Sequence, residues 1–285
     1  MHRLLILAAA LLFSTGGMAI KACGLTSWQV AGFRSGIAAL ALALVFPSSV
    51  RGVRLRHLPA ALAYAATMVL FVLANKLTTA ADTIFLQSTA PLYVLLLSPL
   101  LLEERARRRE VGIMLLLALG LALFFVELPA PQTTAPDPFT GNLLATGAGI
   151  AWGLTLIGLR HAGREGSPLT PVVFGNLFAF LIAFPMTLPV HAATAMDWSV
   201  LVYLGLFQIG LAYLCLTRGL RAVKAFEASL LLLAEPALNP IWAWLVQGER
   251  PGPWALAGGA LILGATAALA LGRRSRVSGS FGPRP

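Results

Sequence analysis

The chain has 285 residues, 58% of them hydrophobic and 11% charged, with 21 basic side chains against 11 acidic ones and a net charge of +10. Soluble domains carry roughly 25% charged residues, so at a mean hydropathy of +0.82 no polar surface can cover this core, which excludes an ordinary cytosolic enzyme and a disordered chain. Two cysteines, Cys23 and Cys215, also exclude a disulfide scaffold.

A helix crosses a hydrocarbon core of about 30 Å with about 20 apolar residues. Runs of that kind lie at 4–21, 27–47, 58–75, 80–102, 110–127, 141–160, 169–188, 199–218, 225–247 and 253–272. The first run follows His2 and Arg3 as a signal peptide would. It has no small-x-small cleavage site before a polar segment, however, and reads as an uncleaved helix. The second run carries Arg34, and the fourth carries Asp82, Gln87-Ser88-Thr89 and Pro91. The sixth holds Trp152, the eighth Gln208 and Tyr213, and the ninth Glu227, Glu235, Pro236 and Asn239. Residues 273–285, rich in Ser, Gly, Pro and Arg, read as a disordered cytoplasmic tail. The expected fold is an all-α integral membrane protein with ten transmembrane helices.

Lys and Arg in short loops set the orientation. Seventeen of the 21 lie on the side of the N-terminus, and Lys21, Lys76 and Arg250 on the other, with Arg34 inside a run. Both termini are therefore expected in the cytoplasm. The basic excess is a topology signal and not a nucleic-acid surface. Cys23 and Cys215 fall at opposite membrane faces and are not expected to pair.

An offset of 145 residues overlays the fourth run on the ninth. Asp82 meets Glu227, Pro91 meets Pro236, and Glu104-Arg105 meets Glu249-Arg250. By the loop charges these two runs cross in opposite directions. The halves 1–127 and 141–272, joined by an extracytoplasmic linker at 128–140, are then inverted five-helix repeats, which suits a carrier that alternates between inward- and outward-open states. Pro91 and Pro236, each the twelfth residue of a 23-residue run, remove a backbone hydrogen bond near the midplane and are candidate hinges.

Ten helices in a 5+5 inverted repeat, with Pro91…Glu104-Arg105 in one half and Glu235-Pro236…Gly248-Glu249-Arg250 in the other, resemble the drug/metabolite transporter superfamily, in particular its bacterial EamA-type branch. The resemblance covers essentially the whole chain. It implies a bacterial inner-membrane protein that exports amino acids or other small metabolites without ATP, and it includes amino-acid exporters. No Gly-x-x-x-x-Gly-Lys-Ser/Thr loop occurs, in keeping with that. The partners expected are a small-molecule substrate and the lipid bilayer, with no cofactor, metal or nucleic acid.

Ionisable groups inside a membrane run are functional candidates by default. Asp82 and Glu227 occupy first turns, where a carboxylate complements the helix dipole. Glu235 is near the midplane and overlays Ala90, so the repeat does not account for it. It could take a substrate ammonium or a proton, or be a neutral acid bonded to backbone loosened by Pro236. Arg34 could pair with Glu235, receive the carboxylate of a zwitterion that Glu235 holds by its ammonium, or snorkel to the outer headgroups. Ser14, Thr15, Thr67, Gln87, Ser88, Thr89, Trp152, Gln208 and Asn239 lie near mid-run, as cavity lining or as interhelical contacts. Trp152 with Tyr64, Tyr93 or Tyr213 would supply an apolar wall. The expected substrate site is Glu235, Trp152, Gln87, Thr89, Asn239, Gln208, Arg34, Tyr213 and Tyr64. A passive channel would want rings of like residues, which are missing. A membrane enzyme would want His-Glu-x-x-His, Gly-x-Ser-x-Gly or clustered metal ligands, also missing.

Overall fold

A computed structural model describes residues 2–101, 108–123, 125–126, 133–164, 168–190, 193–219, 231–232 and 234–278. Among them there is no β-strand. The helices are α1 (His2–Ser14), α2 (Gly16–Ala22), α3 (Ser27–Val45), α4 (Pro47–Arg51), α5 (Leu58–Leu77), α6 (Ala80–Gln87), α7 (Ala90–Leu101), α8 (Arg108–Leu123), α9 (Pro138–Arg164), α10 (Thr170–Ala183), α11 (Ala195–Tyr203), α12 (Ala212–Gly219), α13 (Ala234–Gln247) and α14 (Pro253–Ser278). Five stretches among the described residues are long and apolar enough to cross a membrane: His2–Ala22, Ser27–Val45, Leu55–Leu77, Pro138–Gly163 and Ala195–Gly219. Thr170–Met186 and Pro253–Ala265 are shorter apolar helices.

Several runs differ locally from plain helices, each for a chemical reason. The first bends at Thr15. The hydroxyls of Ser14 and Thr15 donate to the carbonyls of Leu11 and Leu12, both at 2.7 Å, and Gly16-Gly17 follows. The fourth breaks at Ser88-Thr89, because Pro91 offers no N–H to the carbonyl four residues back. The Thr89 hydroxyl donates to the Leu86 carbonyl at 2.5 Å within the break. Residues Leu204–Leu211, between α11 and α12, form a π-helix, a wide turn that often marks a working site. The last helix continues through Ser278, so the tail expected from Arg273 is helical in its first part; cations at a helix C-terminus suit the dipole. Glu227, Glu104 and Arg105 lie outside the described residues.

The packing pairs repeat under exchange of the halves. Moving each helix on by 145 residues turns the α5–α9 contact into α12–α1, and α7–α9 into α13–α1. It turns α5–α10 into the π-helix against α3, while α3–α10 and α8–α14 map onto themselves. Close approach depends on small residues. A Cβ on Gly149 would stand 2.9 Å from the Leu86 carbonyl, and one on Gly153 3.2 Å from that of Ala90. Thus α9 lies directly on the broken backbone of α6 and α7. Leu4, Leu40, Leu44, Leu62, Leu119 and Leu181 point outward, as a lipid-facing surface requires.

Candidate functional site

A cavity of about 40 Å³ lies between the halves. Phe13, Arg34, Thr67, Met68, Phe71 and Gln87 wall it from the first half, and Trp152, Gln208, Ile209, Tyr213 and Glu235 from the second. Six of the nine side chains expected at a substrate site therefore share one space: Glu235, Trp152, Gln87, Gln208, Arg34 and Tyr213.

Arg34 does not snorkel. It is 1% exposed, and its Nη2 donates to the Met68 carbonyl at 2.9 Å. Its Nε has no hydrogen-bond partner among the described residues. An arginine carries five N–H donors, so most of its capacity is unspent. Glu235 faces the same cavity from the first turn of α13 and makes no bond to Arg34. The buried ion pair that the described residues do form is Lys21 with Glu249, at 2.8 Å. Nor, among the described residues, does Glu235 hydrogen-bond to backbone near Pro236. Pro236 itself is buried within α13, where Pro240 leaves a second carbonyl without its helical donor.

Two amides complete the polar lining. Gln87 ends α6 at the break, and Gln208 comes from the π-helix, where its Oε1 has no partner among the described residues. The wide turn settles closely on α3: a Cβ on Gly205 would meet Ile37 at 2.7 Å and the Arg34 carbonyl at 2.9 Å. The apolar wall is an aromatic group. The Tyr213 ring lies 5.1 Å from Phe13 and 6.4 Å from Trp152, both edge-on.

Three expected residues are elsewhere. Tyr64 stands behind Tyr213 at 5.1 Å, buried, with its hydroxyl accepting from Asn176 Nδ2 at 3.0 Å, so it backs the wall. Thr89 is buried in the helix break. Asn239 is fully buried one turn beyond Glu235, off the wall, and neither amide atom has a partner among the described residues. Pro91 follows the break at Ser88-Thr89. Phe13, Met68, Phe71 and Ile209 were not singled out from sequence, because an apolar side chain lining a cavity reads the same as one packed between helices. The one available signal was spacing: Thr67 and Phe71 are four apart, on one helix face.

Two of the three charges counted as outer-loop residues, Lys21 and Lys76, are engaged. Lys21 Nζ donates to the carbonyls of Thr78, at 2.8 Å, and Thr134, besides pairing with Glu249. Lys76 Nζ donates to the Cys23 carbonyl. Thr79 caps α6 by accepting from Asp82 N–H at 3.0 Å, and the Asp82 carboxylate receives the Thr78 hydroxyl at 3.4 Å. The carboxylate at the first N–H of α6 is Glu249, whose Oε2 accepts from Ala80 at 2.9 Å. Cys23 and Cys215 are both free thiols.

The EamA-like transporter family profile matches this chain twice, over residues 2–126 and 139–271. The pseudopaline exporter CntI of Pseudomonas aeruginosa UCBPP-PA14 is 30% identical over 193 residues, 66% of this chain and 65% of that protein. The uncharacterized transporter YetK of Bacillus subtilis is 28% identical over 154 residues, 52% of this chain and 47% of that protein. The uncharacterized protein PA1977 of Pseudomonas aeruginosa is 34% identical over 194 residues, 64% and 63% of the two chains. These matches span less than two thirds of the relatives' own lengths. A solved crystal structure shares the fold, with a TM-score of 0.64 at 20% identity over 96% of this chain and 98% of that one.

Proposed function

The chain belongs to the EamA-like transporter family, and from that premise we propose that it is a secondary carrier exporting amino acids or related small metabolites across the bacterial inner membrane. Transport proceeds by alternating access between two inverted five-helix repeats. The observation that carries this reading is the cavity, which takes six wall residues from the first half and five from the second. A shared site of that kind is what a carrier built from repeats needs, because rocking one half against the other changes which side reaches it. The packing pattern that survives exchange of the halves supports the same reading.

The cavity chemistry favours a zwitterion. The Glu235 carboxylate takes the substrate ammonium and the unspent donors of Arg34 take its carboxylate. Gln87 and Gln208 orient it, and Trp152, Tyr213 and Phe13 hold an apolar side chain. Pro91 and Pro236 loosen the two helices beside the site and act as hinges. A relative that exports pseudopaline supports outward movement of a small metabolite. The orientation, with both termini in the cytoplasm, rests on the loop charges.

The test is counterflow. Purified protein in proteoliposomes, preloaded with each amino acid in turn, is assayed for uptake of the labelled compound with and without a pH gradient. Saturable uptake stimulated by the trans substrate is expected. Flux that is linear in concentration and indifferent to the trans side would make the protein a passive facilitator.

A further inference from the structure

We propose that Lys21 and Glu249 form the outer gate of the transport route, closing an exit that runs from the cavity along α13 past Asn239. The pair is 3% exposed on either side and 2.8 Å long. It ties together four pieces of chain at the face that the loop charges place outside. Lys21, in the last turn of α2, holds the Thr78 and Thr134 carbonyls, while Glu249 holds the first N–H of α6. Gly248 makes this reach possible: its φ of +70° turns the chain sharply after α13, a conformation other residues resist. One charge pair thus joins the second half to the first, just beyond the end of α13 away from Glu235.

Between cavity and gate, polar side chains mark the course of α13. Glu235 and Asn239, four residues apart, stack on one face, and Gln247 follows near the C-terminal end, turned about 80° from Asn239. Asn239 is fully buried, with neither amide atom hydrogen-bonded among the described residues, and the Gln247 Oε1 is also without a partner. Buried amides in a native fold are ordinarily satisfied. Their place is accounted for if they are wetted when the gate opens. What covers it now is the bend of the first run. A Cβ on Gly17 would stand 3.0 Å from both amide atoms of Asn239 and 3.1 Å from the Ala80 Cβ. One on Gly16 would stand 2.7 Å from Gln208 Nε2. Bare glycine backbone at Gly16-Gly17 therefore plugs the route, and the Lys21 at the end of the same helix locks it. Breaking the pair frees α2 to swing from α13 and exposes Asn239 to the outside.

The experiment reads that exposure. The full chain carrying Cys23→Ser, Cys215→Ser and Asn239→Cys is expressed in intact cells and treated with a membrane-impermeant thiosulfonate. With the gate intact, labelling is slow. Glu249→Gln and Lys21→Met each remove one partner of a buried pair, which is strongly destabilising for the contact, and raise the rate by about tenfold or more. The two together label no faster than the quicker single variant, since both break one contact. Lys21→Arg stays slow. Glu249→Asp, which keeps the charge and should fold where the others do not, labels at an intermediate rate. Equal rates across the variants, or a Lys21→Arg rate equal to that of Lys21→Met, overturn the gate. The gate rests on the carrier reading, but labelling needs no substrate. Fast labelling with failed counterflow removes the carrier alone, and uniform labelling with working counterflow removes the gate alone.

Discussion

Glu235 and Arg34 share one cavity without touching, and that decides what each can do. A buried arginine bonded among the described residues only to Met68, through its carbonyl and more weakly its sulfur, contributes little to holding the fold, because its desolvation offsets the hydrogen bonds it makes. Its position is therefore better explained by a ligand than by stability. Arg34→Met is expected to abolish trans-stimulated exchange while leaving the midpoint of thermal unfolding in detergent unchanged or higher. A large fall in that midpoint, with exchange retained, would assign Arg34 to structure instead. Glu235→Gln keeps shape and removes charge. It should weaken substrate affinity by about tenfold, the equivalent of about 1.4 kcal/mol, read as the half-saturating concentration in counterflow. Tyr64 shows the limit of naming residues by type: it is aromatic and mid-helix, yet it serves Tyr213 from behind.

Helix shape here follows from backbone chemistry that is written in the chain. Pro91 predicts a lost hydrogen bond, and the run breaks at Ser88-Thr89, three and two residues before it. Gly149 lets α9 lie on that break, with the Leu86 carbonyl oxygen 2.9 Å from where its Cβ would be. Gly149→Ala should destabilise the protein by about 1–3 kcal/mol through overpacking against backbone that cannot move aside. Gly147→Ala, whose Cβ would meet only the Leu70 side chain at an ordinary 3.5 Å, should cost nothing measurable. Melting curves of the two variants in the same detergent check this. The π-helix at Leu204–Leu211 had no such herald. Gly205 and Gly210 are ordinary residues of a membrane helix, and only the contact with α3 beside Arg34 makes the wide turn intelligible.

For the whole molecule, the loop charges predict that a reporter fused to either end is cytoplasmic. A green fluorescent fusion should glow and an alkaline phosphatase fusion should be inactive at both termini; an active phosphatase at one end would reverse the orientation and the side assigned to the gate. Length, hydropathy, loop charge, the register of the repeat and the two prolines are properties of short stretches, so the chain alone determined that this is a helical membrane transporter made of two related halves. It also supplied most of the polar cavity residues, since a polar side chain in a membrane run has few tolerable places to go. The tertiary structure decided which face each helix presents, because rotation about a helix axis is set by packing between helices far apart in the chain. That is why Arg34 turned inward, why Asn239 left the cavity wall, and why Lys21, counted as a loop cation, became half of a buried pair with a glutamate 228 residues away.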